Sequence, residues 1–131
     1  MIARPGEELP IQTFVVKPAA MQLWSEILND PNPIHLDVAV VRAKGLGDRL
    51  INQGPANTAY VITALQNALP DFRLEALRVR FIDNVFAGET VAASGIIRTV
   101  EQTARGVRLA CAVALHAGSR AVLGGEADLI A

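Results

Sequence analysis

The sequence predicts an α+β fold, a curved antiparallel sheet wrapped around one long central helix. Three observations predict it. Helical patterns fill the first half of the chain and strand patterns the second. One helix, Gly54–Leu69, is apolar around most of its circumference. Four strand-like segments follow, joined as in a meander. A helix with no broad polar face is covered on several sides, and a curved sheet is an economical cover.

The elements follow in order. Ile11–Val16 is a short β-branched run ended by Lys17-Pro18, and reads as a first strand. A helix runs from Pro18 to Asn29, with proline accepted in its first turn. Met21, Trp24, Ile27 and Leu28 recur there at three- and four-residue spacing. Asp30 precedes Pro31, and a residue before proline disfavours the α conformation, so the helix stops near Asn29. Asp37 caps a short helix over Val38–Lys44, which Gly45 ends. Pro55 fits the first turn of the long helix. In "LEALRVRFI", Leu77, Val79 and Phe81 alternate with Arg78 and Arg80. "FAGE", Phe86–Glu89, is the turn into a strand over Thr90–Val100. In "VRLACAVALH", Val107, Leu109, Cys111, Val113 and Leu115 share one face. Ala110, Ala112 and Ala114 share the other with Arg108. "AGSR", Ala117–Arg120, turns into the last strand, Val122–Ile130.

Composition bounds the function. The 131 residues suit one domain spanning 1–131 with a real core. Hydrophobic residues are 51% and charged ones 19%, which argues against disorder. A formal charge of −1 gives no global pull toward nucleic acid or an anionic membrane. "MIARPGEELP" has no apolar core of a signal peptide, and no apolar run reaches membrane-spanning length. The single Cys111 forms no internal disulfide, so a reducing cytoplasm is expected. The sheet's edges need pairing or cover, so a homodimer or higher homo-oligomer is expected.

Chemistry concentrates in "NDPNPIHLD", Asn29–Asp37. Pro31 and Pro33 fix two φ angles and remove two backbone donors. They lower the entropy lost in holding Asp30, Asn32 and His35 in one arrangement. The carboxylate accepts a proton or orients a water, and the imidazole donates or accepts near neutrality. Taken alone, Asp-Pro and Asn-Pro are also ordinary turn formers. No second His or Cys stands at ligand spacing, so no metal is expected. Gly54 opens the apolar helix, where free N–H groups suit a developing oxyanion. Pro55 has no N–H, which leaves Gly54 and Ala56 as donors. Gly-Pro also serves as plain helix-start punctuation.

These residues resemble a family. "NDPNPIHLD" looks like the Asp-x-Asn-Pro-x-His signature of the MaoC-like (R)-specific enoyl-CoA hydratases and dehydratases. "QGPANTAYVITAL" then resembles the glycine and apolar helix that follow the signature. "RFIDNVFAGE" and the closing "VLGGEADLIA" are similar to further family stretches, so the likeness spans nearly the whole chain. It departs at Asn29, where the family has Gly, and at Gln53-Gly54-Pro55, where it has His-Gly-Met. The resemblance implies a hot-dog fold, usually dimeric. It implies reversible addition of water to a trans-2-enoyl thioester, giving an (R)-3-hydroxyacyl thioester. Asp30 and His35 would be catalytic, holding and activating the water. Asn32 would fix the loop or touch the reacting assembly. The Gly54 amide would stabilise the enolate oxygen. The substrate would be an acyl-CoA, with no separate cofactor. Asn57, Thr58 and Thr63 are polar candidates in the central helix, and Asn57 near its start would favour a short or polar acyl group.

Other residues carry less. His116, at a strand end beside a turn, is expected to be exposed. Arg78, Arg80, Arg98, Arg105 and Arg108 read as a solvated sheet face, with CoA phosphate contacts as the alternative. Trp24 and Tyr60 read as core. "KGLGDR", Lys44–Arg49, is a flexible connection. Two other functions compete. A thioesterase commonly needs a carboxylate on the central helix, and Gly54–Leu69 has none. A silent subunit of a heteromer would not need Asp30 and His35.

Overall fold

The computed structural model describes residues 3–131, so the first two residues of the N-terminal stretch lie outside it. The chain forms β1 (Gln12–Val15), α1 (Pro18–Leu28), α2 (Val38–Ala43) and α3 (Gly54–Ala68). Strands β2 (Arg73–Phe81), β3 (Thr90–Thr103), β4 (Gly106–Ala117) and β5 (Arg120–Ile130) complete it. They make one five-stranded sheet in the order β1-β3-β4-β5-β2, antiparallel at every pairing. The sheet packs against α3, which is the hot-dog arrangement. Register shifts at Leu74/Ala76, Ile97/Thr99 and Leu115/His116 act as bulges, which bend and twist strands.

The alternation in β4 decides which face meets the helix. Leu109, Cys111, Val113 and Leu115 are buried, whereas Ala110, Ala112 and Ala114 are half-buried. They join Val61 and Leu65 of α3, Met21 of α1 and Leu123, Ala127 and Leu129 of β5 in one core. Burying each Val, Leu or Met side chain among these contributes roughly 1.5–3 kcal/mol. No helix among the described residues is long and apolar enough to cross a membrane.

Several expectations shift. The first strand starts one residue late and stops one early, leaving Ile11 exposed. Strand β3 runs on to Thr103. Leu77 and Val79 are half-buried against the core, whereas Phe81, last in that alternation, stays open. It is 58% exposed at the end of β2, where its ring lies against Gly54. His116 is half-buried, because Ala92 and Ala121 flank it on the neighbouring strands. The helix α3 is not enclosed. Val61, Ala64 and Leu65 are buried, but Thr63, Gln66 and Asn67 face solvent. The segment before β1 also pairs with β3, through Gly6 and Leu9 donating to the Ile97 and Gly95 carbonyls.

Candidate active site

The loop after α1 folds as its residues dictate. Asn29 ends the helix in the left-handed region at φ 49°, a conformation asparagine tolerates better than most residues. The backbone then turns through Pro31, and Asp30 Oδ1 accepts from the Asn32 amide at 3.2 Å. Asn32 Oδ1 in turn accepts from the Ile34 amide at 3.3 Å. That bond caps a single 3₁₀ turn over Pro33–His35, which the sequence reading did not contain. An Asn followed by Pro is the usual signature of a helix start, so its signal was present. Asp37 caps α2 as expected, accepting from the Ala39 amide at 2.9 Å.

The turn delivers His35 inward. Its residue is 7% exposed, while the Asp30 side chain keeps 41% of its surface. His35 Nδ1 lies 2.6 Å from the Ile51 carbonyl oxygen. A carbonyl only accepts, so Nδ1 carries the proton and Nε2 of the neutral ring is a lone pair. That lone pair faces Asp30 Oδ2 at 3.6 Å. The gap is too long for a direct hydrogen bond, and in the neutral ring both atoms are acceptors. A water donating one hydrogen to each would satisfy both. The pair is therefore suited to hold a water by its two protons, leaving its oxygen lone pairs free.

Three further residues hold this arrangement: Ser25 and Ile51, which the sequence does not single out, and Gln53, which it marks only as a departure from the family pattern. The Ser25 hydroxyl, buried on α1, donates to the Asp30 carbonyl. The wholly buried Gln53 donates from Nε2 to the Met21 carbonyl at 2.8 Å, tying α1 to the start of α3. Ile51 supplies the carbonyl for His35, and its neighbour Asn52 donates through its backbone to Val85 at 2.7 Å. One weak signal existed. Ser25 stands one turn after Met21, on the face the apolar residues of α1 mark as buried.

Gly54 is the first residue of α3, with Gln53 extended before it. A side chain at Gly54 would place its Cβ 3.0 Å from the Phe81 ring, so the close approach of that ring favours glycine. First-turn amides have no intrahelical acceptor, and the Gly54 and Ala56 N–H groups find no hydrogen-bond partner among the described residues. Asn57 is buried one turn further on, its Oδ1 accepting from Asn52 Nδ2 at 2.7 Å. Thr58 bonds back to the Gly54 carbonyl at 3.1 Å, and Thr63 faces solvent. The structure thus brings Asp30, Asn32 and His35 together on one turn. It joins Gly54 and Asn57 to them through the Ile51–Gln53 segment. Arg78 and Arg108 instead meet Asp128, and Arg105 meets Glu75, on the sheet's outer face. No group of three or more metal-ligating side chains occurs among the described residues.

A family model described as "MaoC like domain" matches residues 3–113. No curated protein matches the chain by sequence. Among solved structures, the chain is similar to the (R)-hydratase from A. caviae involved in PHA biosynthesis. The TM-score is 0.88 at 19% identity, covering 98% of this chain and 96% of that one. It is also similar to R-hydratase PhaJ1 from Pseudomonas aeruginosa, at TM-score 0.83 and 21% identity, covering 98% and 82%. A third is the HadBC (3R-hydroxyacyl-ACP dehydratase) complex from Mycobacterium tuberculosis, at TM-score 0.80 and 14% identity, covering 97% and 96%. At such identities these three likenesses establish the shared fold.

Proposed function

Because this chain belongs to the MaoC-like dehydratase family, we propose that it reversibly hydrates trans-2-enoyl-CoA to the (R)-3-hydroxyacyl-CoA. The observation that carries the reading is the Asp30–His35 pair. Its facing acceptors stand 3.6 Å apart, with the imidazole tautomer fixed by the Ile51 carbonyl. In the forward direction the water held there attacks C3 of the enoyl group. One of the two residues takes its proton. The π electrons move to the thioester oxygen, where the Gly54 N–H stabilises the enolate. Collapse of the enolate takes a proton at C2 from the same pair, so the catalytic groups end as they began. Asn32 holds the turn on which both stand.

The reading needs no cofactor beyond the thioester substrate. The buried, unpaired Cys111 fits a reducing cytoplasm, where we place the protein. We expect it to act as a homodimer. The test is loss of enoyl-thioester absorbance when the purified protein meets trans-2-enoyl-CoAs of several lengths. Activity with (R) product, abolished in both Asp30→Asn and His35→Ala, supports the reading. Activity that survives both substitutions removes the Asp30–His35 mechanism. A folded protein inactive at every length removes the hydratase itself, and leaves a subunit that needs a different partner.

A further inference from the structure

Two buried polar side chains, Asn52 and Asn57, flank Gly54 in sequence, where an apolar acyl chain would need hydrocarbon. Asn52 and Asn57 are each 5% exposed. They spend one bond on each other, Asn52 Nδ2 to Asn57 Oδ1 at 2.7 Å. That leaves Asn52 Oδ1 as an acceptor and Asn57 Nδ2 as a donor. Among the described residues neither finds another protein hydrogen bond, and neither is among the fully buried orphan atoms. Both therefore still reach solvent-accessible space, although their residues are almost wholly enclosed. A third polar group adjoins them. Burial pushes the Tyr60 hydroxyl above its ordinary pKa, and the Asn52 amide beside it pulls it partly back. The Tyr60 ring stacks on Phe14 of β1, with centroids 4.9 Å apart.

The spacing places these groups relative to the thioester. Asn57 and Tyr60 follow Gly54 at three-residue steps along α3, so each neighbours the one before it on the helix surface. One such step rises roughly 4.5 Å along the axis. An acyl chain that ran along α3 from a carbonyl oxygen at Gly54 N–H would meet the two asparagines within a few carbons. The Tyr60–Phe14 stack stands beyond them. An alkyl chain laid here would leave a buried donor and acceptor unpaired, which costs about 1–3 kcal/mol for each. A carboxylate only accepts, so it would pair with Asn57 Nδ2 but set an acceptor against Asn52 Oδ1. A hydroxyl satisfies both amides, accepting from Asn57 Nδ2 and donating to Asn52 Oδ1.

We propose that Asn52 and Asn57 form a specificity site for a short enoyl thioester carrying a hydroxyl group a few carbons beyond the double bond. The proposal rests on the hydratase reading and names its substrate class. The test compares kcat/KM for enoyl-CoAs matched in length, one ending in plain alkyl, one carrying the hydroxyl, one a carboxylate. The native protein is expected to favour the hydroxylated substrate over the alkyl one by about tenfold or more, the scale of a recognised polar group. In Asn57→Leu that ratio falls at least tenfold, which a purely structural loss would not produce, since it lowers both rates alike. Asn57→Ala serves if the leucine variant does not fold, and the native ratio decides in either case. Turnover that favours the alkyl substrate, or a ratio unmoved by the substitution, overturns the specificity site and leaves the hydratase standing. Preference for the carboxylate also overturns it. No turnover of any enoyl-CoA removes the hydratase reading, and the specificity site with it.

Discussion

Asp30 has two duties, and they are separable. Its Oδ1 accepts the Asn32 amide and shapes the turn, while its Oδ2 faces His35. Asparagine in its place keeps an acceptor for the turn but loses the basic carboxylate. Asp30→Asn is therefore expected to lower kcat by about 10²–10⁴, the usual scale of a positioned acid or base. Its thermal midpoint should stay near that of the native protein. A midpoint that drops along with the rate would assign Asp30 to the fold instead. That Asp30 and His35 face each other was legible in the sequence, because both lie on one stiffened loop. Ser25 and Gln53 were not, because each acts through a backbone carbonyl that carries no sequence signature. Cys111 offers a second test at this scale. Burial, with Asp128 nearby, pushes its thiol up to about 11. Only thiolate reacts with iodoacetamide, so the folded chain is expected to resist labelling at neutral pH and to react once urea unfolds it. Rapid labelling of the native protein would contradict the packing of β4 against the core.

Among the elements, one of the tightest backbone approaches lies between β2 and β5. Gly125 sits opposite Val79, and a Cβ there would fall 2.0 Å from the Arg78 carbonyl oxygen. Backbone cannot yield as a side chain can, so Gly125→Ala must displace β2. A destabilisation of about 1–3 kcal/mol or more is expected from such overpacking, read as a lower urea midpoint. A midpoint unchanged would mean that β2 is not held at this distance. The turn Phe86–Glu89 gives a pH test. Burial alone would raise the Glu89 carboxyl. The Arg120 guanidinium, at 2.8 Å, and the Phe86 N–H outweigh it and hold the group below its ordinary 4.5. A depressed carboxyl adds stability that is present above its unfolded value and is lost as pH falls through its folded one. Glu89→Gln should therefore unfold earlier than the native protein at neutral pH, with the gap closing below pH 4.5. A gap that persists in acid would assign the loss to packing. Element ends with Pro or Gly were legible to within a residue or so, because those residues act on the backbone locally. The pairing of Gly6–Leu9 with β3 was not, since "PGEELP" has no alternation and is held by backbone bonds alone.

At the scale of the whole molecule, the open side of α3 and the free edge of β2 raise one question. The sequence predicted a helix covered on several sides, yet Ala59 and Ile62 remain half-buried and Thr63 exposed. Among the described residues β2 pairs only with β5, so the N–H and C=O groups that alternate residues of β2 turn to its other edge have no strand partner. Phe81 and Ile82, 58% and 53% exposed, end that edge beside Gly54. Exposed strand edges are normally shielded by charge, by cover or by pairing. Arg78 and Arg80 add charge, but Arg78 is already neutralised by Glu126 and Asp128. Pairing with a second copy along β2 would join the two sheets and bury Phe81. It would also bring a second chain to the mouth beside Gly54. The expected outcome is a sedimenting species of twice the chain mass, with Phe81→Asp shifting it toward the monomer and lowering activity in step. If the loss of activity follows the fraction of monomer at each protein concentration, the site depends on the second copy. A native protein that sediments as a monomer and turns over at full rate would show that one chain suffices, and that Phe81 alone covers the approach to Gly54.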